Sequence, residues 1–253
     1  MTALRPIGYY EYLDFNSPLS SDRADLLAAA LVVGSPRSIL DAGCGWGELL
    51  LRTVAASNVA TGLGVDSDTV ALDRGRKNAA KRRLSERVQF LEGDIADLGD
   101  RADVVICVGA DHAFGNQDEA LEALRDYVNP GGRLLFGTGF WEREPTDDEA
   151  ASLDMTSRTL RDLDGLVDKT IAVGFRPLSI HVANSDEWCE FESGYLADWE
   201  TWLLSHAADP SAGDIRHKAD KHRKDWLQGY RKVLGFAYLM LGTPSVSSVE
   251  RAY

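Results

Sequence analysis

The sequence predicts an α/β fold, a doubly wound and mostly parallel sheet covered by helices on both faces. Three observations carry that expectation. Short apolar runs alternate with helical stretches of about 10–15 residues, the pattern of βαβ units. The apolar runs are continuous, as in strands buried on both faces. A glycine-rich bend, Gly43-Cys44-Gly45-Trp46-Gly47, follows the first of them.

Element by element, residues 21–33 read as an amphipathic helix entered through Ser20, Ser21 or Asp22, whose side chains suit an N-cap. Ser38 to Asp41 is a short strand that stops at glycines, and Glu48 to Ala56 resumes a helical pattern. Ala60 to Asp66 is a second strand, Thr69 to Arg83 a helix rich in Ala, Arg and Lys, and Val88 to Leu91 a third strand. Asp103 to Val108 is a fourth strand. Asp118 to Tyr127 is a helix stopped by Asn129-Pro130-Gly131-Gly132, and Arg133 to Gly137 a fifth strand. Leu160 to Val173 reads as a helix and Leu178 to Ala183 as a sixth strand. Two helices follow, Trp188 to His206 and Ile215 to Leu234, broken at Asp209-Pro210-Ser211. Gly235 to Leu241 is the seventh strand. The helical segment 184–234 thus interrupts the last strand pair and overhangs the C-terminal edge of the sheet, where open α/β folds bind ligands.

Length and composition set the class. At roughly 150 residues per domain, 253 residues allow one large domain or two small ones. Forty Asp and Glu against 27 Lys and Arg leave a net charge of −13, which repels phosphate backbones and anionic lipid surfaces. Neither nucleic acid nor membrane is expected as a partner. The three cysteines, Cys44, Cys107 and Cys189, are odd in number and lack CxxC spacing, against a disulfide framework and a zinc ribbon. Met1 to Pro6 has no apolar leader, and the apolar stretch Leu26–Val33 is too short to span a bilayer. A cytoplasmic protein without a metal is expected.

The glycine bend is the most informative segment. Glycine lets a chain turn tightly and lets a ligand approach where a Cβ would stand. The dinucleotide fingerprint GxGxxG requires a third glycine where Glu48 stands, and a carboxylate beside a diphosphate is repulsive. The spacing is instead GxGxG, preceded by the acid Asp41.

In that setting the segment resembles the first motif of class I S-adenosylmethionine-dependent methyltransferases. The resemblance covers most of residues 38–140. Gly64-Val65-Asp66 puts an acid at the end of the second strand, 19 residues after Gly47, and Glu92-Gly93-Asp94-Ile95 ends the third. Val105 to His112 closes the fourth strand, and Asn129 to Leu134 is similar to the family's turn before the fifth. The resemblance implies a Rossmann-like fold with a seven-stranded sheet and S-adenosyl-L-methionine as cofactor. It implies contacts from Asp41, Gly43, Cys44 and Gly45, and from Asp66 on the ribose hydroxyls with Ser67 beside it. Asp94 would take the adenine amino group, Ile95 would pack on the ring, and Cys107, Val108 and Gly109 would line the methionine moiety. The expected organisation is one domain: an N-terminal arm and helix (1–34), a cofactor-binding core (35–140) and the helical insertion (184–234).

The cofactor carries the difficult chemistry, so the protein's task is to hold the acceptor in line with the methyl–sulfur bond. The expected acceptor is a small molecule attacked through oxygen or nitrogen. Its site is expected between Tyr10 and Phe15 of an aromatic N-terminal segment, His112, Trp141, and the stripe of Trp188, Glu192 and Tyr195. His112 follows the fourth strand, and histidine is the side chain most often used as a general base. The Asn/Asp-Pro-Pro-aromatic motif of DNA amino-methyltransferases is absent there. A basic stripe from Arg216 to Lys232 reads as a solvated face balancing the acidic helix before it. The competing readings are a non-catalytic binding or interaction protein that kept the fold, and a nicotinamide-dependent dehydrogenase disfavoured by Glu48.

Overall fold

The structure is a computed structural model that describes residues 9–95, 99 and 101–245. The first residues of the expected arm and the tail beyond Ser245 lie outside the described residues. Seven strands form one sheet: β1 (Ser38–Ala42), β2 (Thr61–Asp66), β3 (Val88–Glu92), β4 (Ala102–Val108), β5 (Val128–Trp141), β6 (Arg176–Val182) and β7 (Leu234–Gly242). Their order is β3-β2-β1-β4-β5-β7-β6. β1 to β5 pair in parallel, and β7 runs antiparallel to both β5 and β6. The chain moves outward from β1 through β2 to β3, then returns to place β4 on the other side of β1. That reversal opens a crevice at the C-terminal ends of β1 and β4.

The helices are α1 (Ser21–Leu31), α2 (Glu48–Ala55), α3 (Thr69–Lys81), α4 (Gln117–Tyr127), α5 (Asp147–Ala151), α6 (Leu163–Ala172), α7 (Ser185–Ser205) and α8 (Ala212–Lys224). Several begin at side-chain caps. Asp68 accepts from the Val70 and Ala71 amides, and Asn116 from those of Asp118 and Glu119. Asn184 and Glu187 form a capping box on α7.

Alternation along β1 and β4 divides the core. Ile39, Val104 and Ile106 join Leu27, Leu31, Leu50, Leu51 and Val54 on the α1/α2 face. Leu40, Val105 and Cys107 join Leu121, Leu124 and Leu166 on the α4/α6 face. β2 carries glycines at 62 and 64, and α2 rests on them: a methyl at Gly62 would lie 2.7 Å from Leu50 Cδ1. At the opposite edge, the Asp103 carboxylate accepts from the Arg37 and Ser38 amides and from Asn129 Nδ2. These donors hold its pKa below the usual carboxylate value despite partial burial.

Three elements differ from expectation. β5 runs from Val128 to Trp141, beyond the expected Arg133–Gly137, because Val128 pairs with Ala102 of β4 and β7 pairs with the strand as far as Trp141↔Leu234. α6 starts at Leu163: residues 157–160 form turns and bends, Trp141 bridges Asp162, and Asp162 then caps the helix through the Gly165 amide. The helix expected over Ile215–Leu234 ends at Lys224 and gives way to a π-helical turn (Asp225–Gly229) and a 3₁₀ turn (Tyr230–Lys232). These turns carry Trp226 and Tyr230 into one apolar cluster with Trp141 and Val233.

Leu50 is fully buried between α2 and the glycines of β2. Leu50→Ala should lower unfolding free energy in urea titration by about 2–5 kcal/mol.

Candidate active site

The bend after β1 is held by the end of β2. Val65 O accepts from the Gly43 and Cys44 amides at 2.9 and 3.0 Å, and Asp66 Oδ2 accepts from the Gly45 amide at 2.7 Å. Asp66 Oδ1 accepts from the Asp68 amide at 2.9 Å. The glycines do different work. Gly43 (φ 75°) closes against the loop after β4, where an added methyl would sit 2.2 Å from Ala110 Cβ. Gly45 (φ 54°) faces open space, with nothing within 4 Å of such a methyl.

That open space is a cavity of about 500 Å³ across the C-terminal ends of β1 to β4. Its wall includes Asp41, Gly43, Cys44, Gly45, Asp66, Ser67, Asp94, Ile95, Val108 and Gly109 of the expected cofactor residues. Cys107 is the exception. It is fully buried on the α4/α6 face, because alternation along β4 turns Ile106 and Val108 toward the cavity and Cys107 away. Residues that sequence reasoning did not single out also line the cavity: Asp14, Asn16, Ser17, Leu19, Trp46, Leu49, Gly93, Ile106, Ala110 and Ala113. Gly93 and Ile106 adjoin expected positions, and Trp46 stands inside the glycine bend itself.

The electrostatics of the wall are one-sided. Asp14, Asp41, Glu48, Asp66 and Asp94 line it, and no Lys or Arg does among the described residues. Burial, and then the field of Asp66, pushes the Asp41 carboxyl up to about 8. Burial also pushes the Cys44 thiol up, reinforced by Asp41 and Asp66. Glu48 is neutralised where it stands in the wall. Its carboxylate pairs with Arg52 at 2.8 Å and Arg82 at 2.7 Å. The local repulsion of a diphosphate expected from Glu48 is thereby weakened, and the wall as a whole carries that argument instead.

The segment from Asp14 to Leu19 runs along the cavity. Asp14, Phe15, Asn16, Ser17 and Leu19 contribute to the wall, while Leu13, Phe15 and Leu19 are buried against the body of the protein. The arm therefore lines the cavity and packs into the core at once.

His112 lines the same cavity from a 3₁₀ turn, Asp111–Phe114, at the end of β4. Gln117 Nε2 donates to Thr138 Oγ1 and Gly139 O, bracing β5 beneath that turn. Asp111 bonds Thr138, yet burial raises its pKa.

The other residues expected at the acceptor lie elsewhere. Tyr10 packs on Trp46 and Tyr195 outside the cavity wall, with ring centroids 5.9 and 5.5 Å away. Tyr195 stacks on His222 of α8 at 4.6 Å. Glu192 is buried between two partners, accepting from Tyr230 Oη at 2.6 Å and meeting His222 Nε2 at 2.7 Å. Trp188 fills the seam between two core clusters and contacts Phe191 edge-on. Trp141 is buried against Trp226 and Tyr230. The aromatic–acidic stripe of α7 thus binds the insertion together, because its side chains meet α8 and the turns after it.

Comparison with known proteins agrees with this architecture. A methyltransferase-domain family model matches residues 35–171. The Escherichia coli (strain K12) protein YjhP is 27% identical over 230 residues, 89% of this chain and 92% of YjhP. Its X-ray structure has a TM-score of 0.84 at 26% identity, covering 93% of this chain and 97% of that one. A SAM-dependent methyltransferase from Geobacter sulfurreducens, solved with S-adenosyl-L-homocysteine, shares the fold at a TM-score of 0.85 and 24% identity, over 92% of this chain and 95% of that one. Malonyl-[acyl-carrier protein] O-methyltransferase of Halalkalibacterium halodurans is 30% identical over 168 residues, 58% of each chain. With the family match spanning more than half of the chain on this sheet order, the protein belongs to the class I S-adenosylmethionine-dependent methyltransferases.

Proposed function

We propose that the protein transfers the methyl group of S-adenosyl-L-methionine to an oxygen or nitrogen of a small-molecule acceptor in the cytoplasm. The observation that carries this reading is the cavity lined by five acids and no Lys or Arg among the described residues. A diphosphate or a nucleic-acid backbone would meet repulsion there, whereas a ligand with hydroxyl donors and positive charge finds acceptors. This disfavours a nicotinamide dinucleotide and polyanionic acceptors alike. The volume lies within the range of about 300–1,000 Å³ usual for small-ligand sites, and the arm residues in its wall would help to shield a bound ligand from water. The Halalkalibacterium relative is named for O-methylation, which supports oxygen as one acceptor atom. Three free thiols agree with a reducing compartment. No helix among the described residues is long and apolar enough to cross a membrane.

When bound, the cofactor supplies an electrophilic methyl on a positively charged sulfur. In this reading Asp66 accepts from the ribose hydroxyls with the lone pairs that Gly45 and Asp68 leave free. Asp94 accepts from the adenine amino group and Ile95 packs on the ring. Asp41 faces the positively charged end. The Val108–Gly109 turn borders the methyl, with Phe15 and His112 on the acceptor side. His112 takes the proton of an acceptor that arrives protonated.

Calorimetry should detect binding of both S-adenosyl-L-methionine and S-adenosyl-L-homocysteine. No heat from either at millimolar concentration defeats the reading. Asp66→Ala should weaken both by at least tenfold, since hydrogen bonds to a charged group contribute about 1.5–3 kcal/mol; unchanged affinity removes Asp66 from the ribose.

Asp41 gives the pH dependence. Its carboxyl holds a proton up to about pH 8 in the folded ligand-free protein, against 3.8 ordinarily. A pKa raised by folding stabilises fully below the unfolded value, and that contribution is lost as pH rises through the folded one. Thermal melts should therefore show ligand-free stability falling between about pH 4 and pH 8 and levelling off above that, and a shallower fall in Asp41→Asn. A cationic ligand favours the carboxylate, so cofactor binding near pH 7 should release a proton. Binding enthalpy should then vary with the ionisation enthalpy of the buffer in wild type and not in Asp41→Asn.

A further inference from the structure

Arg74, on α3, makes contacts that the wall of the cavity does not account for. Its Nη1 donates to Tyr10 O at 2.8 Å and its Nη2 to Leu13 O at 2.6 Å. The guanidinium lies 4.1 Å above the Trp46 ring, and Trp46 Nε1 donates to Asp14 O at 2.7 Å. One side chain thus ties the start of the arm to the tryptophan of the glycine bend. Arg74 does not itself line the cavity. Burial lowers its pKa against the opposing fields of Asp14, Glu48, Asp198 and Glu11, and a guanidinium remains charged under that load. Charge-assisted bonds of this kind are stronger than neutral ones.

The two ends of the arm are held differently. At the far end the Ser20 amide, Ser20 Oγ and Arg23 Nε all donate to Glu187 Oε1, and the Asn184 amide donates to Glu187 Oε2. Glu187 is buried, and this end is continuous with α1. The near end rests on Arg74 and on close packing. The Glu11 amide also donates to Asp198 at 3.0 Å, on the exposed surface. Leu13 packs among Trp46 and Ala71. α7 closes on it at Gly194, where a methyl would lie 2.4 Å from Leu13 Cδ2 and 3.1 Å from Tyr12 O. Tyr10 has φ 53°, uncommon for a bulky residue, and the carbonyl of that strained residue is one that Arg74 grips.

We infer that Arg74 is a positioning residue for the cofactor: it clamps the Tyr10–Leu13 end of the arm, and release of that end, with the Ser20–Glu187 end as the hinge, opens the route by which the ligand leaves. The inference rests on the proposal that the cavity holds the cofactor. Arg74 acts by keeping Asp14 to Leu19 in place as a wall, and it sets how long the ligand stays.

The test uses the full-length protein and S-adenosyl-L-homocysteine, with release followed by stopped-flow displacement. Arg74→Gln should release the ligand about tenfold faster, with a corresponding rise in Kd. Arg74→Lys should fall between, because an ammonium is a point charge that reproduces neither the two-carbonyl fork nor the stacking on Trp46. Gly194→Ala presses on the arm from the other side. It should speed release even though alanine favours the α7 helix. Ligand-free melting temperatures of all three should stay close to wild type. Chymotrypsin should cut Arg74→Gln within Tyr10–Leu13 faster than wild type, and the ligand should slow that cut. Wild-type release rates in both Arg74→Gln and Gly194→Ala, with wild type binding normally, overturn the clamp. A wild type that does not bind the ligand overturns the cofactor reading, and the clamp with it.

Discussion

The grip of β2 on the glycine bend is the interaction on which the site depends. One carbonyl, Val65 O, takes two amides of the bend, and one carboxylate, Asp66, takes a third. Residues about twenty positions apart are thereby locked in register, and the bend cannot drift from the sheet edge without losing all three bonds. The same grip sets the electrostatics. Fixing Asp66 beside the buried end of β1 puts a negative charge near Asp41, and Asp41 answers by keeping its proton.

Positive charge is kept behind the wall rather than in it. Arg52 and Arg82 occupy Glu48 from the helix side, Arg74 occupies the arm carbonyls, and Arg76 donates to Phe90 O at the edge of β3. The basic stripe of α8 is partly occupied in a similar way. Arg223 meets Glu200 and Asp220, Lys221 meets Asp225, and His222 meets the buried Glu192. A chain with net charge −13 thus uses many of its cations to neutralise particular carboxylates and leaves those at the cavity facing inward.

The core was legible because its signals are local. Strand ends and the glycine bend each occupy a few consecutive residues, so resemblance to the family's motifs singled out Asp41 to Gly45, Asp66 and Asp94, all of which line the cavity. The Glu48–Arg52 pair was also within reach, being four residues apart on one helix, and it changes what Glu48 does. Contacts closed by tertiary folding were not legible. Helical spacing puts Trp188, Glu192 and Tyr195 on one stripe, yet it does not say whether that stripe meets a ligand or α8. Period-two alternation on β4 would have separated Cys107 from Ile106 and Val108, had the strand been read face by face. The tie between Arg74 and the carbonyls of Tyr10 and Leu13 spans more than sixty residues and involves backbone acceptors, which carry no sequence signature.

The acid-rich wall also bears on turnover. Loss of the methyl converts a sulfonium into an uncharged thioether. In the proposed reading the acids Asp14, Asp66 and Asp94 of the wall would attract the first through its charge and would have no such hold on the second. If the cavity holds the donor as proposed, its acidic wall would grip the spent molecule less firmly than the fresh one, and the loss of a single positive charge would favour exchange of one for the other.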